Sequence, residues 1–134
     1  LDGKPRPINI ERAFENLRFE RQGQVVKDTL ISKPSEKKVS DQYTRVHLPT
    51  HEEHFYDIMR HEFSGKVCLE TNRSPHVLSL VEGESVIIKT PDGSERVYHY
   101  AETFVIPAGT GSWVMITPDA RPVKVVDAFL KPPE

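Results

Sequence analysis

Histidines and glutamates are concentrated in one stretch of the chain, where their side chains could ligate a transition metal. The stretch contains His47, His51, His54, His61, Glu52, Glu53 and Glu62. Its central run, His-Glu-Glu-His at 51–54, is not the zinc-protease pattern His-Glu-x-x-His, because the second histidine comes one residue early and Phe55 occupies the required position. The run also lies near Pro49 between predicted strands, not on a helix that would align residues i and i+4. We interpret it as a solvated polar loop, with an adventitious metal site as the alternative.

Other residues with reactive side chains lack the sequence context that catalysis requires. No serine stands in a Gly-x-Ser-x-Gly elbow, and neither a Gly-x-x-x-x-Gly-Lys-Ser loop nor a Gly-x-Gly-x-x-Gly turn is present. Cys68 lies between Val67 and Leu69, which predicts a small buried hydrophobic residue. Trp113 begins a predicted strand, where core packing is favoured over sugar stacking. Hydrolase and nucleotide chemistry therefore have no support in the sequence.

The composition predicts one folded, soluble domain. The 134 residues are 37% hydrophobic and 28% charged, and 18 basic residues are interspersed with 20 acidic ones. Such a balance favours neither nucleic acid nor a membrane as a partner. The single cysteine and the lack of an apolar leader predict a cytoplasmic location. The start at Leu1, without a methionine, suggests a piece of a longer protein, although a processed terminus or a removed tag would look the same.

The chain changes character near residue 43. Before it, residues 9–17 carry apolar side chains at helical spacing after a potential cap at Asn9, and residues 20–42 read as a polar connector with weak strand signals at 25–26 and 29–31. Beyond it, short β-branched and aromatic runs alternate with turn residues. These runs predict strands near 43–48, 54–63, 66–71, 76–82, 84–90, 95–100, 103–106, 112–117 and 123–130. We therefore divide the chain into a linker (1–42) and a β-barrel domain (43–134).

The most specific local prediction is a hairpin through residues 90–93. Pro91 presets one turn dihedral, Asp92 can bond back to the chain and Gly93 accepts a positive φ. Residues 86–88 should therefore pair with residues 96–98. Because several short strands must also remove their exposed edges, an all-β barrel or two-sheet jelly roll with one short N-terminal helix is the expected fold.

Two segments resemble the sequence motifs of cupins. Residues 102–109, Glu-Thr-Phe-Val-Ile-Pro-Ala-Gly, resemble the second cupin motif, in which a strand ends in Pro-x-Gly. Residues 78–84, Leu-Ser-Leu-Val-Glu-Gly-Glu, resemble the strand and glycine turn that close the first motif. The resemblance implies a cupin, a double-stranded β-helix barrel.

The N-terminal segment resembles one particular family of cupin enzymes. Residues 3–10, Gly-Lys-Pro-Arg-Pro-Ile-Asn-Ile, followed by Ala13 and Leu17, are similar to the linker between the two cupins of bacterial type I mannose-6-phosphate isomerases, with Pro7, Ile8 and Asn9 where that family has Glu, Leu and His. The order of helix, connector and strands is also similar to the C-terminal domain of that family. The resemblance implies a non-catalytic C-terminal domain whose partner is the N-terminal catalytic cupin of the same polypeptide.

The positions of the usual cupin metal ligands can be counted from Gly83 and Pro107. They fall on Glu70, Asn72, His76 and Ser112, and this set contains too few imidazoles and carboxylates to hold a divalent ion. We predict no metal, cofactor or catalytic residue in this domain, and the resemblance places the zinc of the parent enzyme in its N-terminal cupin. The four residues remain candidates for lining a barrel pocket.

Three functions follow as hypotheses. In the first, the parent interconverts mannose 6-phosphate and fructose 6-phosphate, and this domain supports the catalytic half. In the second, the chain is a stand-alone module whose open barrel binds a sugar or another small polar ligand. In the third, it is a metal-dependent cupin enzyme in its own right.

Overall fold

The computed structural model describes residues 3–132 of the chain. It divides the chain into two compact units, with the boundary between Ile31 and Ser32. The boundary that we placed after residue 42 lies one strand further along the chain. Each unit is described separately below.

The N-terminal unit contains helical turns only, within the described residues. Helix α1 spans Ile10–Glu15, inside the predicted segment 9–17. The side chain of Asn9 makes no capping hydrogen bond, so the predicted cap is wrong, but the backbone oxygen of Asn9 accepts a bond from the Ala13 N–H at 3.1 Å.

The second helical segment lies where the residue types predict weak strand character. Residues Val26–Leu30 form a π-helix. Two side-chain bonds across four residues favour the helical turn: Gln24 Nε2 donates to Asp28 Oδ1 at 2.9 Å, and Thr29 Oγ1 donates to the Val25 oxygen at 2.7 Å. Local polar bonding of this kind competes with strand pairing, and it explains why the β-branched residues here are not extended.

The second unit is a barrel of two antiparallel sheets. Its strands are β1 (Ser35–Ser40), β2 (Tyr43–Leu48), β3 (Tyr56–Phe63), β4 (Lys66–Glu70), β5 (His76–Glu82), β6 (Ser85–Lys89), β7 (Glu95–His99), β8 (Thr103–Ile106), β9 (Ser112–Ile116) and β10 (Val123–Leu130). The larger sheet has the order β1-β2-β3-β10-β5-β8, and the smaller has the order β4-β9-β6-β7. Every strand predicted from residue 43 onward is present, with ends within two residues, and the connector adds the edge strand β1.

The hairpin between β6 and β7 has the predicted register. Ile87 pairs with Val97, and Gly93 adopts φ +83°. Asp92 Oδ1 accepts bonds from the Ser94 N–H at 3.0 Å and the Thr90 hydroxyl at 2.6 Å. The turn residues thus fix the pairing of the strands that they join.

Alternating side chains from both sheets fill the barrel. The buried apolar cluster consists of Phe63, Val67, Leu78, Leu80, Val86, Ile88, Phe104, Ile106, Trp113, Met115, Val123 and Val125. Trp113 is a core residue, as predicted. Cys68 is exposed, so its predicted burial is wrong, because the alternation along β4 directs Val67 inward and Cys68 outward. None of the helices within residues 3–132 is long and apolar enough to cross a lipid bilayer.

Candidate functional site

A polar layer adjoins the apolar core inside the barrel. Along β3 the inward positions run from Phe63 to His61, and along β5 from Leu78 to His76. Between these strands, β10 continues from Val125 to Asp127. Because side chains alternate along each strand, three adjacent strands direct ionisable groups to one level of the barrel.

The ionisable groups of this layer form one hydrogen-bonded chain, which we call the buried relay: Tyr43, His61, Asp127, His76 and the Thr71 carbonyl. Tyr43 Oη lies 2.7 Å from His61 Nδ1, and His61 Nε2 lies 3.2 Å from Asp127 Oδ2. His76 Nδ1 lies 2.9 Å from both oxygens of Asp127, and His76 Nε2 lies 3.2 Å from the Thr71 oxygen. Every ring nitrogen of the two histidines is therefore engaged within the protein.

The partners of His76 determine its charge. A carboxylate and a backbone carbonyl only accept hydrogen bonds, so His76 donates from both ring nitrogens and is an imidazolium. Burial alone would lower the pKa of His76, but the hydrogen bond to Asp127, the charge of that carboxylate and the bond to Thr71 raise the pKa above its usual value. Burial would likewise raise the pKa of Asp127, yet the bonds from His61 and His76 hold it below its usual value. The two residues form a buried ion pair.

Tyr43 completes the relay at its other end. Burial raises the pKa of Tyr43, and the charge of Asp127 acts in the same direction, while Arg45 opposes both. The phenol therefore keeps its proton, and one hydrogen bond joins it to His61 Nδ1, while His61 Nε2 is bonded to Asp127. All polar side-chain atoms of the relay have a partner, as a stable buried network requires.

The relay also holds a tight turn at residues 71–74. The Thr71 oxygen accepts from His76 and from the Ser74 N–H at 2.9 Å, while the Thr71 hydroxyl donates to the Ala108 oxygen at 2.8 Å. Asn72 and Arg73, in the middle of the turn, both have positive φ, at 49° and 64°. Asparagine tolerates a positive φ but arginine rarely adopts one, so the anchors on Thr71 stabilise a turn that is strained at Arg73.

A cavity of about 950 Å³ opens beside the relay and the turn. Strands β2, β3, β4, β5 and β10 and the turn at 71–74 contribute to its wall. Its lining includes Arg45, Met59, His61, Leu69, Glu70, Asn72, Arg73, His76, Asp127, Phe129 and Lys131. It combines apolar side chains with a few charged and polar groups, as ligand sites usually do.

The four candidates counted from the cupin motifs occupy different places. Glu70, Asn72 and His76 line this cavity, whereas Ser112 is not part of its wall. Ser112 pairs with Glu70 across β4 and β9, and it precedes the inward-facing Trp113. Alternation along β9 therefore turns its side chain to the outer face of the sheet.

The histidine-rich stretch is not a single polar loop. His51 and His54 lie between β2 and β3, as interpreted, but His47 is on β2 and binds Asp57 Oδ2 through Nε2 at 2.7 Å. His61 is buried on β3, so its assignment to a solvated loop is wrong. Among residues 3–132, no group of three or more His, Cys, Asp or Glu side chains is arranged to hold a metal ion.

Sequence reasoning missed Asp127, His61 and Tyr43 as members of the site. A usable signal was present in β10, whose inward positions read Val123, Val125 and then Asp127. A carboxylate at the inward position of an otherwise apolar face needs a hydrogen-bond donor, and that need points to a basic or polar residue on an adjacent strand. The pairing of β10 with both β3 and β5 supplies His61 and His76.

Comparisons with solved structures identify the fold as a cupin. An RmlC-like cupin of Shewanella frigidimarina is 17% identical, with a TM-score of 0.59 over 76% of this chain and 87% of that one. A cupin-2 domain protein of Rhodospirillum rubrum is 13% identical, with a TM-score of 0.62 over 77% of this chain and 72% of that one. The mannose 6-phosphate isomerase of Bacillus subtilis is 13% identical, with a TM-score of 0.70 over 94% of this chain and 35% of that one. Searches of protein families and of curated proteins find no match.

Proposed function

We propose that this chain is the non-catalytic C-terminal cupin domain of a cytoplasmic protein that resembles mannose-6-phosphate isomerase. In the parent, a separate N-terminal cupin would hold zinc and interconvert mannose 6-phosphate and fructose 6-phosphate. The domain described here would pack against that half and support it.

The observation that carries the non-catalytic assignment is the closed hydrogen bonding of the buried relay. A metal ligand needs a free nitrogen lone pair, and a general base needs a free nitrogen that faces the substrate. His61 and His76 use both ring nitrogens internally, and His76 carries two protons. The residues of the relay therefore do not fit a zinc centre or a proton-transfer site in this arrangement.

Two further observations support the link to an isomerase. The likeness to the Bacillus subtilis enzyme has a TM-score of 0.70 over 94% of the chain, whereas the likeness to the RmlC-like cupin has a TM-score of 0.59 over 76%. Residues 8–19 also expose several large apolar side chains: Ile8, Ile10, Phe14, Leu17 and Phe19. An apolar set of this size on one short segment is typical of a surface that packs on another domain, and we assign the N-terminal cupin as its partner.

A coupled assay tests the division of roles. The 134-residue chain is incubated with mannose 6-phosphate and zinc, and the formation of fructose 6-phosphate is followed. We expect no turnover above a metal-free control, and turnover above it would refute the assignment. The genomic reading frame provides a second test, since it should encode a cupin with Gln-x-His and Glu-His ligands directly before Leu1.

The cavity favours a second function, the binding of a small polar ligand without chemistry. A barrel filled throughout by Leu, Val and Phe side chains would leave no space for a ligand. Here the apolar cluster fills one part of the barrel, and about 950 Å³ beside Glu70, Asn72 and His76 stays open. A thermal-shift screen with a panel of sugars tests this function, and a flat melting temperature across the panel would count against it.

A further inference from the structure

The cavity beside the relay has a positively charged lining. Arg45, Arg73 and Lys131 contribute cationic side chains and His76 contributes an imidazolium, against the carboxylates of Glu70 and Asp127. Asp127 is neutralised by His76 within the relay. Lys131 Nζ donates to the His51 carbonyl oxygen at 2.9 Å, so Arg45 and Arg73 are the cationic groups of the lining that a ligand could engage.

The two arginines of this cavity have no anionic partner in the described part of the chain. Arg45 and Arg73 form neither an ion pair nor a side-chain hydrogen bond with any residue of the range 3–132. Arg60, by contrast, pairs with Glu62 Oε1 at 2.5 Å, and Arg121 pairs with Glu84 Oε2 at 2.7 Å. A guanidinium fork that is free of carboxylates can bind a phosphate or carboxylate group in two-point geometry.

Both arginines are placed by structure that the relay stabilises. Arg45 lies directly opposite His61 in the β2–β3 ladder, so its side chain leaves the sheet on the same face as His61. Arg73 lies in the strained turn whose first carbonyl, that of Thr71, is bound by His76. The site therefore has one cationic group on a strand and another on an anchored turn.

The rest of the lining suits the carbon skeleton of a small hydroxylated molecule. Met59, Leu69 and Phe129 supply apolar surface for C–H groups. Asn72, at an exposed position of the lining, offers an amide to hydroxyl groups. Apolar walls with a few polar groups are the usual composition of small-molecule sites.

We propose that this cavity binds a small hydroxylated organic anion, with Arg45 and Arg73 holding its phosphate or carboxylate group. The proposal rests on the second function given above and specifies the ligand class for it. It is independent of whether the parent is an isomerase.

Isothermal titration of the 134-residue chain tests the proposal with three probes. Mannose 6-phosphate carries a phosphate, gluconate carries a carboxylate, and mannose carries neither. We expect saturable binding of one or both anions and at least tenfold weaker binding of mannose, since charge-assisted bonds to arginine are lost. The stronger of the two anions identifies the acidic group that the site prefers.

Variants locate the binding site. Arg45→Met and Arg73→Met should each weaken binding of the anion by about tenfold. Glu70→Gln removes a carboxylate from the lining and should tighten binding by about two- to threefold. Arg96→Met is the matched control, because Arg96 is an exposed arginine on β7 in the other sheet, and its loss should leave affinity unchanged.

Three results would overturn the proposal. These are equal binding of mannose and the anions, no binding of any probe up to about 10 mM, and anion binding that is unaffected by both Arg45→Met and Arg73→Met. None of them bears on the isomerase assay, so failure of this proposal and failure of the non-catalytic assignment are distinguishable. Melting temperatures confirm that each variant is folded, which is expected because both arginines are exposed.

Discussion

Nδ1 of His76 lies 2.9 Å from each carboxylate oxygen of Asp127, and the two residues thereby join the neighbouring strands β5 and β10 through a buried ion pair. Asp127 is 2% exposed and His76 is 8% exposed. A second histidine, His61 on β3, binds the same carboxylate from the other side. One carboxylate thus fixes the position of three adjacent strands at the level where the apolar core ends.

Substitution of this carboxylate should destabilise the barrel strongly. In Asp127→Ala, His61 and His76 lose the acceptor that they share, and no counterion offsets the burial of His76. Breaking a buried pair by removing one partner costs about 3–5 kcal/mol. Urea denaturation monitored by circular dichroism measures the loss in the free energy of unfolding.

The control for this experiment is Asp41→Asn, which removes an exposed carboxylate that pairs with Lys38. Exposed pairs contribute little, so a change within about 0.5 kcal/mol is expected. Similar losses in the two variants would show that the Asp127 pair has no special role in stability.

The free energy of unfolding should be constant over a range of pH and should decline at higher and at lower pH. The pKa of His76 is raised in the folded chain. Its contribution to stability is therefore complete below pH 6.5 and disappears as the pH rises through the pKa of the folded state. The pKa of Asp127 is lowered in the folded chain. Its contribution to stability is therefore complete above pH 3.8 and disappears as the pH falls through the pKa of the folded state. Tyr43, His61 and the Thr71 carbonyl are the other groups of the relay around this pair.

Urea unfolding between about pH 3 and pH 9 measures this profile. The free energy of unfolding should be greatest between pH 3.8 and pH 6.5 and should decline on either side. In His76→Gln the decline above 6.5 should become shallower, because the group that titrates there is absent. An unchanged upper limb in this variant would contradict the assignment of the charge to His76.

The phenol of Tyr43 should contribute a smaller, measurable amount. In Tyr43→Phe, Nδ1 of the buried His61 loses its hydrogen-bond partner, which lies 2.7 Å away in the native protein. An unsatisfied buried polar group costs about 1–3 kcal/mol. Tyr100→Phe is the matched control, because Tyr100 is 63% exposed and its variant should have unchanged stability. Equal stability of the two variants would show that Tyr43 is not required by the relay.

The strands could be predicted from the sequence because their signals are local. Turn residues such as Gly93 and runs of alternating apolar side chains depend on near neighbours only, and these elements agree with the structure. The two apolar neighbours of Cys68 predict burial, but Cys68 is exposed because a strand directs adjacent side chains to opposite faces. The segment Val26–Leu30 was missed because its side-chain bonds across four residues outweigh the strand preference of its β-branched residues.

The relay could not be predicted by counting positions within motifs. His76 was found in this way, but His61 and Asp127 are separated by 66 residues in sequence and meet only because β10 lies between β3 and β5. Strand order in a barrel follows from long-range pairing, which local periodicity does not specify. A search for ionisable residues at inward strand positions would have selected both residues without knowledge of their contact.

The turn between β5 and β6 should tolerate no side chain at Gly83. This residue has φ +105°, and a Cβ atom there would lie 2.6 Å from Val123 Cγ1 and 3.3 Å from the backbone Val123 Cα. Gly83→Ala therefore combines an unfavourable backbone conformation with overpacking against a buried strand, and should cost about 3–5 kcal/mol. Gly93→Ala, where φ is +83° but the space is open, should cost about 1–2 kcal/mol. Gly109→Ala, with open space and no positive φ, should cost less than about 0.5 kcal/mol. Urea denaturation of the three variants should rank them in this order, and a Gly83→Ala protein as stable as Gly93→Ala would show that Val123 moves aside without strain.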